Sequence, residues 1–261
     1  MNLDLLRNTF LIAGNTVREI QRHKILYALM ALVFFIIGAS VILGPLSLNE
    51  QQRLSINFAF TACHLSLIVI SVYFASTLIS HEVEKKTAIT LFAKPISKTQ
   101  FIIGKFFGLA FVLIIALCFL LIFILAVHFF YDHKISGLLF IAMWGIFLEA
   151  LCLLAMAFFF SSFSSSFLVL VYSTLIFIIG HSTNGLTFFI NKSQDDTLFK
   201  NVVSVLVRVF PNYEKFNWRG NALYLEPLLE WELAHASLYS FSWIVFLLVF
   251  TGFFFERKQV A

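Results

Sequence analysis

Six apolar stretches, at roughly 25–46, 56–80, 101–131, 136–160, 167–190 and 235–255, take up most of the chain. Each matches or exceeds the ~20 residues an α-helix needs to cross a hydrocarbon layer ~30 Å thick. Backbone polar groups inside lipid must be satisfied within their own segment, so stretches of this length are read as helices. Of 261 residues, 60% are hydrophobic and 12% charged, against about 25% charged in an ordinary soluble domain. Those proportions exclude a soluble enzyme, a disordered chain and a disulfide scaffold. The expected fold is all-α: a single polytopic membrane domain over 1–261 with six transmembrane helices and an N-terminal amphipathic helix at the membrane interface.

Smaller features fit that frame. The net charge is +4 with no long run of like charge, so no nucleic-acid partner is expected. Cys63, Cys118 and Cys152 all fall inside apolar stretches and read as small buried hydrophobes. The first span is too long, and its flank too charged, for a cleaved leader. Within residues 1–24, Leu6, Phe10, Ala13, Val17 and Ile20 recur in four- and three-residue steps, and Arg7, Arg18 and Arg22 fall elsewhere. A cationic amphipathic helix of this kind lies in the plane of a membrane surface.

Lys and Arg set the expected orientation. Arg7, Arg18, Arg22 and Lys24 precede the first span; Lys85, Lys86, Lys94, Lys98 and Lys105 follow the second; Arg257 and Lys258 follow the last. The short loops on the opposite side hold Arg53 and Lys134. Both termini and the 81–100 segment are therefore expected to be cytoplasmic, which makes 191–234 an external loop. That loop has its own amphipathic stripe, Leu198, Val202, Val205 and Val209, ended by Pro211. Pro227 suits the first turn of a helix that continues into the last span.

The segment from Ser80 to Gln100 is the most informative. It opens with charged residues, then presents Ile89, Phe92 and Ile96 at helical spacing. Pro95 biases Lys94 away from helix, and Ser97 with Gln100 makes a capping box that begins the third span. A short helix fixed to two spans can transmit force. An apolar centre flanked by charges can plug a groove on another protein.

This segment resembles the signature of the type-2 ABC exporter permeases. The matching positions are Glu82, Glu84, Thr87, Leu91, Pro95, Ile96, Ser97, Lys98, Phe101, Gly104 and Lys105. The resemblance extends to the whole layout, and Pro211–Asn217 is similar to a loop run in some members. It implies that 81–100 is a coupling segment docking on a separate ATPase subunit through Glu82, Glu84, Thr87, Ile89, Leu91, Phe92 and Pro95. Leu6, Phe10, Val17, Arg18 and Ile20 would position the interfacial helix. Two ATPase copies and a second permease copy or paralogue are implied, in a bacterial inner membrane. The short run Ser161–Ser166 reads either as a further ATPase contact or as a plain turn.

No phosphate-binding Gly-x-x-x-x-Gly-Lys-(Ser/Thr) run occurs, so ATP and Mg are expected on the partner and no cofactor on this chain. His81-Glu82 lacks the second histidine of a zinc-protease motif, since Lys85 stands there, and no catalytic residue or metal ligand set is expected. Glu149 sits midway along the fourth span. An ionisable group at that depth costs at least ~2.5 kcal/mol, so it should face the bundle interior or water, as a translocation-path contact or as a protonated or hydrogen-bonded packing residue paired with His64 or a serine. His64 and His181 read as interior histidines. The 34 phenylalanines would give a charge-poor path suited to an amphipathic or lipid-linked substrate. The competing readings are an ion-coupled secondary transporter, which would need buried carboxylates and broken helices, an intramembrane enzyme, and a non-transporting scaffold in an ATP-driven complex.

Overall fold

The computed structural model describes residues 2–43, 51–84, 97–130, 136–192 and 197–257. These form nine α-helices and no strand: α1 Asn2–Gln21, α2 Lys24–Leu43, α3 Gln51–Glu84, α4 Lys98–Phe130, α5 Gly137–Ser161, α6 Ser166–Lys192, α7 Thr197–Val209, α8 Arg219–Tyr224 and α9 Glu230–Arg257, with a 3-10 turn at Tyr213–Phe216. Five helices, α3, α4, α5, α6 and α9, are each long and apolar enough to span a membrane alone. The sixth expected crossing is α2, which meets α1 at a bend of 62°. The elbow is pinned by His23, whose ring stands edge-on to Tyr73 and Phe74 of α3 at 5.9 and 5.5 Å.

The two most enclosed helices are α3 and α5, and they pack on each other. Small residues make this possible. Ala59, Ala62, Cys63 and Ser66 on α3, and Ala142, Gly145, Ala150, Cys152 and Ala155 on α5, are all buried. Lipid tails are as apolar as leucine, so helices in a bilayer associate through close packing at such residues. Helix α9 packs on α5 in the same manner, through Ala236 and Ser240, and Ser240 Oγ donates to the Leu148 carbonyl at 3.2 Å. Of the cysteines, Cys63 and Cys152 are buried, but Cys118 is exposed on α4. A peripheral helix turns apolar side chains to lipid as readily as to the core, so position in an apolar stretch does not settle burial.

Helix α1 buries a line beside its apolar stripe, which leaves part of that stripe facing outward. Helix α1 lies on α4, and the enclosed line is Ile12, Thr16 and Ile20, while Phe10 is 75% exposed. The cause is on α4, in Gly104-Lys105-Phe106-Phe107-Gly108. A Cβ at Gly104 would stand 2.8 Å from Ile12 Cβ, and one at Gly108 would stand 2.7 Å from the Ala13 carbonyl oxygen. Two glycines four residues apart let the backbones meet, and the β-branched side chains of α1 fill the notch where phenylalanine cannot. Gly108→Leu is expected to lift α1 off α4 at a cost of about 1–3 kcal/mol. The checks are thermal unfolding in detergent and protease access to α1; an unchanged melting curve would argue against this packing.

Helix starts follow local chemistry. Gln100 N–H donates to Ser97 Oγ at 3.2 Å and Ser97 N–H to Gln100 Oε1 at 3.0 Å, the reciprocal capping box expected before α4. Ser136 Oγ accepts from Leu138 N–H ahead of α5. In the turn after α5, the buried Ser161 and Ser162 hydroxyls donate to the Phe158 and Phe159 carbonyls. Pro227 falls short of α9, which begins at Glu230 and runs unbroken for 28 residues. The capping box at 193–196 lies outside the described residues.

Candidate functional site

The chain between α7 and α9 folds into the bundle. The 3-10 turn packs on α5 and α6, and α8 packs on α3 and α5. Tyr213, Phe216 and Trp218 are buried. Burial pushes the Tyr213 phenol well above its ordinary range, so it stays neutral. Two glycines admit this backbone. A Cβ on Gly145 would overlap the Phe216 carbonyl oxygen, and one on Gly180 would overlap the Tyr213 ring. Asn212 caps the turn by accepting from Glu214 N–H at 3.0 Å, and its own N–H donates to the Tyr239 hydroxyl at 2.9 Å.

The inserted segment brings three polar side chains to the two histidines that contact Glu149, a residue 2% exposed and about 18 Å along α5 from its first residue. Six side chains close a ring. His64 Nε2 lies 2.9 Å from Glu149 Oε2, and His181 Nε2 lies 2.7 Å from Glu149 Oε1. His181 Nδ1 is 3.3 Å from Glu214 Oε1, and Asn217 Nδ2 donates to Glu214 Oε2 at 3.1 Å. Arg219 Nε donates to Asn217 Oδ1 at 3.0 Å, and Arg219 Nη1 is 3.2 Å from His64 Nδ1.

Donor and acceptor counting assigns the protons. A guanidinium can only donate, so His64 Nδ1 carries a lone pair and His64 is neutral with its proton on Nε2, directed at Glu149. With both carboxylates ionised, His181, which faces a carboxylate oxygen from each nitrogen, donates from both and is an imidazolium. Two carboxylates, one imidazolium and one guanidinium leave the ring without net charge. A buried ion cluster persists only with such balance and with its hydrogen bonds made.

His64, Glu149 and His181 also form a trio of a kind that can hold a metal ion, with ligand atoms within 4.8 Å of one another. The second contact of His64 opposes that use. A ligating histidine normally gives its other N–H to a carboxylate or carbonyl. Here that nitrogen accepts from Arg219, which places a proton on the nitrogen a metal would need.

Of the residues singled out from sequence, Glu149 and His64 meet here. Phe10, Val17, Arg18 and Ile20 lie on α1, with Arg18 exposed and Ile20 buried; Leu6 belongs to the same helix. Glu82 and Glu84 fall in the last turn of α3, whereas Thr87, Ile89, Leu91, Phe92 and Pro95 lie outside the described residues. Sequence reading did not join His181, Glu214, Asn217 and Arg219 to Glu149. The available signal was the charge and amide content of a loop run, Asn212–Arg219, in a chain otherwise poor in both.

At the opposite end of α3 the flanks of the 81–100 segment are fastened together. Lys105 of α4 is buried, donates from Nζ to the Leu78 carbonyl of α3 at 3.0 Å, and stands 5.1 Å from the Phe101 ring centroid. Helix α3 thus reaches from His64 in the ring to Glu84, where that segment begins.

Such a helical bundle, with long apolar spans, is that of a polytopic membrane protein. Residues 19–181 match the model of the ABC-2 family transporter proteins, and the chain belongs to that family. The match contains His64, Glu149 and His181 and ends before the inserted segment. No curated protein matches the chain.

Proposed function

We propose that this chain is the membrane-spanning subunit of an ATP-driven exporter, powered by a separate ATPase that docks on residues 81–100. Family membership supports the permease role. The observation that carries the mechanical reading is the run of α3. Its 34 residues extend about 50 Å, and the stretch from Glu84, beside the coupling segment, to His64 in the ring accounts for about 30 Å of that, with Lys105 tying the helix to α4 on the way. A push on the coupling segment is then carried by a stiff helix to the residues that hold the inserted loop. ATP and Mg²⁺ act on the partner, with two ATPase copies closing beneath two permease halves, identical or paralogous. The 81–100 segment and both termini are cytoplasmic, the inserted loop is on the outer side, and the membrane is a bacterial inner membrane. The abundance of phenylalanine favours an amphipathic or lipid-linked cargo.

Family membership supports this reading over ion-coupled transport. The docking reading is tested by Phe92→Asp and Thr87→Arg. A buried anchor exchanged for a charge costs an interface 2 kcal/mol or more, about thirtyfold in affinity. Both variants are expected to insert normally and to lose their ATPase on mild-detergent purification. Retention of the ATPase by both would overturn the assignment of 81–100.

A further inference from the structure

A cavity of about 630 Å³ opens between the inserted loop and the first turns of α9. Its walls carry opposite charges that do not meet. Lys215, on the loop, is exposed and holds Nζ 4.2 Å from the centroid of the Tyr239 ring. Glu232, at the start of α9, is half-buried, and among the described residues no cation lies within ion-pairing distance of its carboxylate. Glu214 also borders the cavity but is engaged in the ring. Beside Glu232 stands Trp231, 58% exposed, with His235 edge-on to it at 5.5 Å. His235 Nδ1 donates to the Trp231 carbonyl at 2.6 Å, which leaves Nε2 for other contacts.

A half-buried carboxylate with no counter-ion among the described residues, next to an open indole, is an arrangement that takes an ammonium group. The lysine on the facing wall suits an anion. Opposite charges held apart on two walls fit a zwitterion better than a simple cation or anion. The cavity also continues into apolar surface. Leu238, which lines it, is followed at three and seven residues by Phe241 and Val245, all exposed along the span. A ligand that matches both parts has a zwitterionic head and hydrocarbon tails.

We propose that this cavity is a binding site for a membrane phospholipid with a phosphoethanolamine head group, its ammonium between Glu232 and Trp231, its phosphate on Lys215, and its tails along Leu238, Phe241 and Val245. The site does not depend on the ATP-driven reading, because it is a property of the resting chain. The test is native mass spectrometry of the protein, purified with whatever subunits accompany it and titrated with dihexanoyl-phosphatidylethanolamine. One saturable adduct is expected. Dihexanoyl-phosphatidylglycerol, which lacks the ammonium, should bind about tenfold more weakly, as should Glu232→Gln and the exposed-site variant Lys215→Gln with the ethanolamine lipid, each having lost one charged contact. Equal binding of the two lipids, or unchanged affinity in both variants, would overturn the proposal. Free phosphoethanolamine competing as well as the lipid would overturn the membrane source of the ligand.

Discussion

Glu149→Ala is expected to cost about 3–5 kcal/mol of stability, the usual penalty for stripping one partner from a buried ion cluster. It should appear as a lowered melting temperature in detergent and as new protease sensitivity at 211–219. The size of the effect follows from charge. Neutral hydrogen bonds between helices in a membrane average only about 0.6 kcal/mol, so six of them would not by themselves make the ring costly to open. Without Glu149, the His181 imidazolium keeps one carboxylate, and the His64 N–H points into a void with no acceptor. Glu149→Gln differs. His181 can release its Nε2 proton and accept from the new amide, while the amide oxygen still accepts from His64. The ring then holds one carboxylate and one guanidinium and remains neutral, so the expected cost is about 1 kcal/mol. By the same counting Glu214→Gln is mild. The double variant is not, because Arg219 then stands as an unbalanced cation. The pair should therefore show a coupling of about 2 kcal/mol or more beyond the sum of the single changes. Additive effects would mean that the proton assignment is wrong.

The contrast between the legible and the illegible parts has a physical source. Spans could be placed from the sequence because each is a local property: some twenty apolar residues in a row, with the Ser97–Gln100 capping box marking the start of α4 to the residue. The long unbroken α9 was readable for the same reason. Which residues of α1 meet the bundle was not, because that choice is made by Gly104 and Gly108 on another helix. The ring is less local still. Its members lie on α3, α5, α6 and the inserted segment, and each has an ordinary explanation taken alone. Glu149 announced itself, since an ionised group in mid-span needs partners, and His64 was a reasonable candidate for one. Arg219 and Glu214 read as solvated loop charges until the backbone that bears them is seen to enter the bundle. That entry depends on Gly145 and Gly180, and a glycine in an apolar span has many uses.

Those two glycines permit a separate test of whether loop and ring form one unit. Gly145→Val places methyl groups where the Phe216 carbonyl and the Trp218 ring now stand. Neither can yield cheaply: the carbonyl is main chain, and Trp218 is 6% exposed and enclosed on its other sides. The segment must therefore back out, and Arg219, Asn217 and Glu214 leave with it. The expected cost combines overpacking, about 1–3 kcal/mol, with the loss of the contacts that Glu214 makes to His181 and Arg219 to His64. If insertion is all-or-none, Glu149→Ala made in the Gly145→Val background should then cost less than it does in the native chain, because the part of its effect that passes through the inserted segment is already gone while the bonds of Glu149 to His64 and His181 remain to be lost. Gly180→Val, which meets the Tyr213 ring from the α6 side, should behave alike. The reading can be made by melting temperature together with the rate at which a cysteine placed at Asn212 reacts with a water-soluble maleimide, which should rise in each variant. Full additivity of Gly145→Val with Glu149→Ala, or an Asn212 site that stays protected in both glycine variants, would show that the loop is held by packing along its length and that the ring merely decorates it.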